Sequence, residues 1–357
     1  KVCSGGLSPK SLAVLKEMGV LEEIKHSGRP MIRTLKLGSP SGLILEGDIP
    51  VTSISQGFGY VVPRFQLDDM VRRRALQAGA VVFKKGRVNQ LLQSDGSVSG
   101  VLINQDEVKA DLIIIASGAI RLTSLCDIAR TPDGGMFFAT QAHYEDVKLG
   151  DSTTMEIYFE RSLLPGYFWI FPQGDGRLTV GAGVWGNPGG ALVLQERYEA
   201  GARYVNGVCH KLLPPSDTLK FENWIIPAER NIRSVIAPNV LLVGDAGGFA
   251  NPFTGEGIYY ALETGRLAGQ VAADNLKKNN PWSIAEDYEA QLFGVLADLR
   301  ASWVFHDMMS NSSLADHVIG EASRNESLKT ELVGAVLNTS DKRGLMGWLE
   351  SMRKSSA

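Results

Sequence analysis

The sequence predicts an α/β fold in which one α/β domain is interrupted by an antiparallel β-sheet domain and followed by a helical region. Segment order, chain length and glycine placement predict it. Along the chain the segments run α/β, β, α/β, β, α/β and then α. An α/β domain that is interrupted by an inserted β-sheet domain produces this order, whereas a single doubly wound sheet does not. The 357 residues suffice for two or three domains, and many of the 39 glycines fall where a strand would turn into a helix.

The first half of the chain alternates helical and strand-like segments. Ser8 and Pro9 predict the start of a helix that continues to about Ile24, because Ser caps helices and Pro fits their first position. Short β-rich pieces between Gly and Pro residues predict antiparallel sheet over 31–62, and apolar periodicity predicts a helix from Phe65 to Ala78. Strands are predicted next at Val81–Lys84, Val88–Gln93, Val98–Ile103 and Asp111–Ala116.

The second half begins with strands and ends with helices. Residues 135–185 are strand-rich, and residues 191–213 have a helical pattern. A short buried strand at 240–244 leads to a helix from about Gly257 to Lys277, and residues 284–357 are predominantly helical. The apolar run Asp111–Ala116 suits a parallel strand covered on both faces.

Composition excludes several classes of protein. A net charge of -3 gives no electrostatic reason for nucleic-acid binding. The cysteines Cys3, Cys126 and Cys209 form no Cys-x-x-Cys pair, which argues against a disulfide framework or zinc site and favours a reducing, cytoplasmic compartment. The histidines lack metal-ligand spacing, so no metal is assigned. No apolar run reaches about 18 residues, the length that a membrane-spanning helix needs.

The segment from Val240 to Ile258 carries the strongest functional pattern. A buried strand delivers Gly244 and Asp245 at its carboxyl end, where open α/β sheets bind ligands, and the Asp245 carboxylate can accept a hydrogen bond from a ribose hydroxyl. Gly255 and Gly257 then open a helix whose N-terminal amides would stabilise a flavin ring that gains negative charge on reduction. The alternative is a glycine-rich turn in which Asp245 only caps the helix.

Four ordered motifs resemble one flavoprotein family. Residues 244–257, with Gly-Asp-Ala and then Asn-Pro-Phe-Thr-Gly-Glu-Gly, resemble the second FAD motif of para-hydroxybenzoate-hydroxylase-type proteins. The residue types at these positions are those of the geranylgeranyl reductase branch. Residues 1–8 resemble that branch's Cys-Gly-Gly-Gly-type loop, and residues 60–68 its Arg-bearing strand-to-helix junction. Residues 167–172, followed by Gly-Ala-Gly at 181–183, fit its Tyr-x-Trp-x-Phe-Pro…Gly-x-Gly signature. The resemblance covers about residues 1–275.

The resemblance implies a domain organisation. An FAD/NAD(P)-binding Rossmann-like domain would comprise residues 1–30, 60–130 and 225–280. The β-sheet substrate-binding domain would comprise residues 31–59 and 131–224, and the C-terminal helical region residues 281–357. The dinucleotide motif Gly-x-Gly-x-x-Gly of such proteins would lie upstream of residue 1, so the sequence is expected to be a fragment.

The resemblance also implies the residues of the site. Cys3 is the candidate catalytic residue, a thiol beside the flavin ring, although a free cysteine is also commonly an inert small hydrophobe. Arg64 would pair with a cofactor phosphate, a flavin edge or a substrate diphosphate, or else form a structural ion pair, and Glu256 is mainly a charge at a helix N-terminus. The cofactor-binding residues are expected to be Cys3, Gly5, Gly6, Arg64, Gly118, Gly244, Asp245, Pro252, Gly255, Glu256, Gly257 and Ile258.

The aromatic signature predicts where a substrate lies. In a strand, Tyr167, Trp169 and Phe171 would share one face, and the small residues opposite would leave room for a flat or elongated apolar ligand. The alternative is a sheet core packed by aromatic rings. The expected substrate-binding residues are Tyr167, Trp169, Phe171, Pro172, Gly181 and Gly183.

The activity implied by the resemblance is saturation of isolated C=C bonds in geranylgeranyl or other prenyl chains of a lipid, diphosphate or prenylated quinone. Reduced FAD would give the hydride, and Cys3 or a bound water the proton. The electron donor would be NAD(P)H or ferredoxin, and no motif in the sequence distinguishes between these two. An FAD-dependent aromatic or polyketide monooxygenase is the first alternative. A degenerate flavin- or lipid-binding protein is the second.

The C-terminal quarter predicts contact with lipid. Its apolar residues from Leu292 to Met309 could close a lipid pocket, and Leu345 to Met352 beside Arg343 and Arg353 fit an interfacial amphipathic helix. A cytoplasmic protein that contacts the membrane surface peripherally is therefore expected. Ordinary packing of these helices on a core is the alternative.

Overall fold

The computed structural model contains two compact units. It describes residues 1–82, 86–94, 97–119, 135–147, 151–186, 189–210, 213, 219–278, 283–339, 342 and 347–348. Unit 1 comprises residues 1–75, 137–225 and 301–357, and unit 2 comprises residues 76–136 and 226–300. Which segments bind FAD and which bind substrate, as expected from the resemblance, stays a prediction.

The described residues form a mixed α/β fold, as predicted. The strands are β1 (Gly6–Leu7), β2 (Met31–Ile32), β3 (Thr34–Gly38), β4 (Ile44–Asp48), β5 (Gly59–Val61), β6 (Val88–Ser94), β7 (Ser97–Ile103), β8 (Asp106–Lys109), β9 (Ile113–Ile115), β10 (Met136–Tyr144), β11 (Thr154–Tyr158), β12 (Tyr167–Gly174), β13 (Arg177–Trp185), β14 (Glu222–Pro227), β15 (Val235–Ala237) and β16 (Val240–Leu242). The helices are α1 (Pro9–Glu17), α2 (Leu21–Lys25), α3 (Arg64–Gln77), α4 (Ala191–Cys209), α5 (Ile258–Lys278), α6 (Ile284–Gln291), α7 (Phe293–Met309), α8 (Ser312–Arg324) and α9 (Glu326–Val336).

A seven-stranded sheet forms the centre of unit 1. Its order is β14-β10-β13-β12-β11-β3-β4, and β3 runs parallel to β11 while β10 to β13 pair antiparallel along the meander. Helix α4 packs on one face, where Tyr198 contacts Phe168 at a ring-centroid distance of 5.4 Å. A Cβ on Gly201 would lie 2.3 Å from the Phe168 ring, so the helix approaches the sheet this closely because residue 201 is glycine.

The small sheet β1-β5-β2 holds the N-terminal loop of unit 1. Helix α1 begins as predicted, with the Ser8 side chain accepting the Ser11 N–H at 3.4 Å and Pro9 in the first position. The expected continuous helix to Ile24 is wrong, because Gly19 adopts a φ of +75° and separates α1 from α2. That left-handed conformation ends a helix and is cheap only for glycine.

The C-terminal helices of unit 1 pack against the β3–β4 hairpin. Asp316 of α8 accepts hydrogen bonds from the Ser39 hydroxyl and the Ser41 N–H, both at 2.7 Å. Helix α9 contacts β4, where a Cβ on Gly47 would lie 3.0 Å from Val333. These contacts fasten the helices to the edge of the large sheet.

Unit 2 contains the sheets β15-β16-β9 and β6-β7-β8. Strand β9 runs parallel to β16, as its apolar sequence predicts, although Ile114 is 40% exposed rather than covered on both faces. Helix α5 buries Tyr260 and Leu267 against Leu241 of β16. Helices α6 and α7 add Leu292 and other apolar residues to this core, the packing alternative considered for this part of the C-terminal quarter.

Three other expectations differ from the structure or fall outside it. Val81 and Val82 are not in a strand, and the rest of the expected strand Val81–Lys84 lies outside the described residues. Helix α4 ends at Cys209 rather than 213, with His210 in the left-handed conformation. The expected amphipathic segment from Leu345 to Met352 lies almost wholly outside the described residues. Among the described helices, none has both the length and the hydropathy to cross a membrane.

Candidate functional site

The turn after β16 is built around Gly244 in unit 2. Gly244 has a φ of +54°, and a Cβ there would lie 2.9 Å from the Ala261 Cβ of α5. Its N–H donates to the Thr264 hydroxyl at 3.0 Å. The strand end therefore lies directly on α5, and only glycine fits both the conformation and the space.

The loop between this turn and α5 is organised by Asn251, which is fully buried. Its side-chain oxygen accepts the N–H groups of Phe253 at 2.9 Å and Thr254 at 3.1 Å. Its main chain accepts the Gly255 N–H and donates to the Glu256 carbonyl, both at 2.9 Å. One asparagine thus holds the Pro252–Gly257 loop in a single shape.

A buried polar network supports that asparagine. The Asn251 amide donates to the Tyr260 hydroxyl at 2.9 Å, and that hydroxyl donates to the Asp298 carboxylate. Burial, followed by the charges of Asp298 and Glu256, raises the pKa of Tyr260 well above its usual value, so the hydroxyl stays a donor. The sequence motif contained Asn251, but Tyr260 and Asp298 lie beyond it and were missed.

Asp245 lies in the turn after β16, and its carboxylate is next to the beginning of α5. Its side chain is 6% exposed, and a Cβ on Gly257 would come within 3.2 Å of its carboxylate oxygen. The first N–H groups of a helix have no intrahelical partner and carry partial positive charge. Gly244, Asp245, Pro252, Gly255, Glu256, Gly257 and Ile258 thus belong to one turn-loop-helix segment of unit 2. Gly118, also in unit 2, has a φ of +77°, and a Cβ there would meet no heavy atom of the described residues within 4 Å.

The N-terminal loop of unit 1 is shaped by Gly5. Its φ is +78°, and a Cβ would lie 2.2 Å from the Val62 carbonyl oxygen, so no other residue fits. The Gly5 carbonyl accepts the Val62 N–H at 2.9 Å. The Gly5 N–H donates to the Cys3 sulphur at 3.4 Å, which fixes the position of the thiol.

Arg64 lies beside Cys3 at the start of α3. Its Nε and Nη2 donate to one Asp68 carboxylate oxygen at 2.9 and 2.8 Å, which is the structural ion pair considered as an alternative. Burial lowers the pKa of Arg64, but the neighbouring Cys3 sulphur and Asp68 outweigh this and raise it. The structure therefore brings the predicted residues Cys3 and Arg64 together.

The aromatic strand β12 has the predicted alternation. Tyr167, Trp169 and Phe171 lie along one face, with ring-centroid distances of 5.9 Å between the first two and 6.4 Å between the last two. All three are buried, as is the following Pro172. The Trp169 Nε1 is shielded from solvent and has no hydrogen-bond partner within the described part of the chain.

Aromatic rings fill the space left by the glycines of β13. A Cβ on Gly181 would lie 2.1 Å from Trp169 Cζ2, and a Cβ on Gly183 would lie 2.0 Å from Phe137 Cζ. These glycines accommodate rings rather than leaving the open room expected opposite the strand. Their role, and that of the aromatic residues, in substrate binding stays a prediction.

The N-terminal loop meets the aromatic strand inside unit 1. A Cβ on Gly6 would lie 3.3 Å from Phe171 Cε2 and 3.3 Å from the Met155 methyl group. The loop that carries Cys3 and the strand that carries the Tyr-x-Trp-x-Phe-Pro signature are thus in contact. This juxtaposition joins two of the motifs quoted from the sequence.

A series of hydrogen-bonded polar side chains begins at Gln173, at the end of the aromatic strand. Gln173 donates to the Thr179 hydroxyl at 2.6 Å, and that hydroxyl lies 3.3 Å from His143 Nδ1. His143 Nε2 lies 3.3 Å from Glu222, which also accepts from Gln141 at 3.2 Å. Sequence reasoning missed this series, because its members occupy β10, β12, β13 and β14 and only the strand register brings them together.

Known proteins resemble this chain in sequence and in fold. A digeranylgeranylglycerophospholipid reductase of Methanocaldococcus jannaschii is 30% identical over 281 residues, which cover 77% of this chain and 68% of the relative. A menaquinone reductase of Mycolicibacterium smegmatis is 28% identical over 296 residues, covering 76% and 67%. A geranylgeranyl bacteriochlorophyll reductase-like structure from Thermoplasma acidophilum has a TM-score of 0.74 at 20% identity, covering 98% of this chain and 89% of that one. No family model matches the chain.

The parallel strand with its Gly-Asp turn, and the large sheet with its aromatic strand, define the class of flavin-dependent oxidoreductases. Within that class, the chain belongs to the geranylgeranyl reductase family. FAD is the cofactor that family membership assigns to it.

The residues of unit 2 fit such a cofactor. Gly257 leaves the space beside the Asp245 carboxylate free of a side chain, and Gly255, with a φ of +65°, turns the chain into α5. The Asp245 carboxylate, an acceptor for a hydroxyl, lies beside the helix N-terminus, a site for negative charge. Within the described ranges, no three His, Cys, Asp or Glu side chains are grouped for a metal ion.

Proposed function

We propose that the protein is an FAD-dependent reductase that saturates isolated C=C bonds of geranylgeranyl or related prenyl chains, carried by a lipid, a diphosphate or a prenylated quinone. The observation that supports this most is the contact between Gly6 and Phe171. It joins a loop that carries a positioned thiol to a strand of buried aromatic rings. An apolar chain laid along such rings would reach the thiol.

The protein's share of the reaction is binding, orientation and proton delivery. FAD, when bound, supplies the hydride. Asp245 would accept a hydrogen bond from a cofactor hydroxyl, and the first amides of α5 would favour negative charge nearby. The rings of Tyr167, Trp169 and Phe171 orient the apolar chain and exclude water. Because an isolated alkene is a poor hydride acceptor, a proton must reach the second carbon.

Cys3 is the proposed proton donor. Its sulphur is held by the Gly5 N–H and lies close to the Arg64 guanidinium. A positive charge beside the sulphur stabilises the thiolate that remains after the proton has left. Arg64 would therefore act on the reaction through Cys3, while Asp68 holds the guanidinium in place.

The test is anaerobic turnover. Dithionite-reduced protein, prepared as the full-length chain with FAD, is mixed with a geranylgeranyl substrate and the product is examined by mass spectrometry. We expect a gain of two hydrogen atoms per double bond. Gain of one oxygen atom, only when oxygen is admitted, would instead identify a monooxygenase. No product, together with no yellow chromophore after FAD is added, would leave only a lipid-binding protein.

The electron donor is part of the proposal. NAD(P)H and reduced ferredoxin are the candidates, and stopped-flow bleaching of the flavin absorbance by each separates them.

We further propose peripheral contact with a membrane surface, since the substrate is a prenyl lipid. Sedimentation with liposomes tests this, and protein that remains in the supernatant with lipid vesicles of any charge would contradict it.

A further inference from the structure

Arg29, in the loop between α2 and β2, is a cation without an ion-pair partner among the described residues. Its Nη1 donates to the main-chain carbonyl of Gln173 at 2.9 Å, and its Nη2 donates to the Gln66 side-chain oxygen at 3.2 Å. Both acceptors are neutral. The side chain is half-buried and therefore positioned rather than freely mobile.

The guanidinium keeps unused hydrogen-bonding capacity. Arginine has five N–H donors, and the contacts to Gln173 and Gln66 use two of them. The Nε–H is shielded from solvent and meets no acceptor in the part of the chain that the structure describes. Two donors on the terminal nitrogens of Arg29 are then available to a ligand.

A second arginine raises the positive charge at this place, because Arg177 pairs with Gly174 across the β12–β13 turn and a Cβ on Gly174 would lie 2.9 Å from Pro30, the residue after Arg29. Burial lowers the pKa of Arg29, and the charge of Arg177 lowers it further, while Asp175 acts in the opposite direction. Arg177 is 53% exposed, and its Nε lies 3.8 Å from Glu145, a distant and solvent-screened contact. Two neighbouring guanidinium groups, one of them without a salt-bridged carboxylate in the described part of the chain, are an arrangement that binds anions.

The arginine lies at one end of the proposed substrate site. Gln173 follows Phe171 by two residues in β12, which is about 7 Å along a strand. Gln66 follows Arg64 by two residues in α3. Arg29 is therefore bonded to both elements of unit 1 that carry the proposed site, beyond the last aromatic ring of the signature.

We propose that Arg29, assisted by Arg177, binds the phosphate group at the polar end of the prenyl substrate. This inference rests on the proposed function. A prenyl diphosphate and a phospholipid headgroup share the chemistry, because planar guanidinium donors match phosphate oxygens. A prenylated quinone has no such group. The phosphate would sit beyond Phe171, while the apolar chain follows the rings toward Cys3.

The first test does not depend on turnover. Inorganic pyrophosphate is titrated into the FAD-loaded full-length protein and followed by calorimetry. We expect Arg29→Gln to weaken its binding about ten-fold, because each lost charged hydrogen bond costs a factor of this size. Arg203→Gln is the matched control, since Arg203 is a 71% exposed arginine of the same unit paired with Glu199. Equal binding by Arg29→Gln and the unchanged protein would overturn the proposal.

The second test separates the two sources of phosphate. For Arg29→Gln we expect KM to rise about ten-fold with geranylgeranyl diphosphate, with the prenyl phospholipid, or with both, while kcat changes less than about two-fold. Geranylgeraniol, which lacks phosphate, should be unaffected. A similar loss with all three substrates would mean a structural role and overturn the inference. Arg29→Lys, which keeps the charge, should restore part of the affinity, and thermal melting of both variants checks that they remain folded.

The two proposals fail in different ways. If no substrate is reduced by the unchanged protein, the proposed function fails, but the pyrophosphate titration still decides whether Arg29 binds phosphate. If substrates are reduced and pyrophosphate binding is unaffected by Arg29→Gln, only the phosphate site fails.

Discussion

Cys3 shows what a single residue contributes to the proposed site. Its sulphur accepts the Gly5 N–H, and Gly5 can adopt its conformation against the Val62 carbonyl only because it has no Cβ. The glycine therefore determines the position of the thiol. Arg64 adds a positive charge beside the sulphur. From the sequence, Cys3 and Arg64 were each expected at the cofactor but were not predicted to be neighbours, and a structural ion pair of Arg64 was one of the interpretations that the sequence left open.

We predict that Cys3→Ala lowers kcat for prenyl reduction at least about 100-fold, because general acids contribute factors of this order. The melting temperature should change little, since the side chain is partly exposed. Single-turnover rates of reduced protein measure the effect. Cys209→Ala, at the other described cysteine, is the control and should keep its activity. Full activity of Cys3→Ala would exclude the thiol as proton donor and leave bound water.

Alternation along a strand predicts which residues share a face, but not what lies across from them. Tyr167, Trp169 and Phe171 share a face as the sequence predicts. The register pairs Trp169 with Gly181, so the indole occupies the space that the glycine leaves. Register depends on the whole sheet, and no short segment encodes it. The free room predicted opposite the rings is filled for this reason.

At the scale of elements, helix α4 and the large sheet illustrate how one glycine sets a packing distance. Gly201 faces the Phe168 ring, whereas a Cβ on Gly207 would meet no heavy atom of the described residues within 4 Å, the backbone of its own helix left out. Both glycines lie within α4, where glycine costs helical stability relative to alanine. The two positions therefore separate the effect of packing from that of helix propensity.

We predict opposite effects for alanine at these two positions. Gly201→Ala should destabilise the protein by about 1–3 kcal/mol, because the new Cβ would lie 2.3 Å from the Phe168 ring. Gly207→Ala should stabilise it by up to about 1 kcal/mol through helix propensity. Urea denaturation midpoints measure both. Equal effects of the same sign would show that α4 does not pack on β12 at Gly201.

Helices and strands were predicted well where the local sequence signals are strong. They were predicted poorly where contacts between distant residues determine the structure. Ser8 and Pro9 predicted the start of α1, and the apolar run at β9 predicted a parallel strand, whose partner β16 the structure shows. Gly19 interrupted a helix whose apolar period continued past it, and the period alone does not report a positive φ. The network of Asn251, Tyr260 and Asp298 joins residues up to 47 positions apart and could not be seen in any window of sequence.

At the scale of the whole molecule, each unit carries a distinct part of the proposed chemistry. Unit 2 holds the Gly244–Ile258 segment, and unit 1 holds the Cys3 loop, the aromatic strand and Arg29. Family membership followed from motifs that the sequence already displayed. Arg29 was not predicted, because its importance comes from the neutral partners Gln66 and Gln173, which are 37 and 144 residues away.

We predict that FAD raises the melting temperature of the full-length protein, because a ligand that binds only the folded state stabilises it. At an FAD concentration of about 100 times Kd, the free energy of unfolding rises by about 2.7 kcal/mol. Asp245→Ala should lose most of this gain at the same FAD concentration. Asp274→Ala, an exposed position on α5, should retain it. A shift that survives in Asp245→Ala would remove the turn after β16 from the cofactor site.

The side chain of Asn251 has consequences for how related genes can diverge. Its side-chain oxygen accepts hydrogen bonds from two loop N–H groups, and its side-chain nitrogen donates to the Tyr260 hydroxyl. Both ends of the side-chain amide therefore make hydrogen bonds that hold the loop. Aspartate would keep the acceptor but lose the donor, and glutamine would be too long for the fixed spacing. Substitution at this position should therefore be accompanied by replacement of Tyr260, and a survey of related genomes should find the pair changing together or not at all.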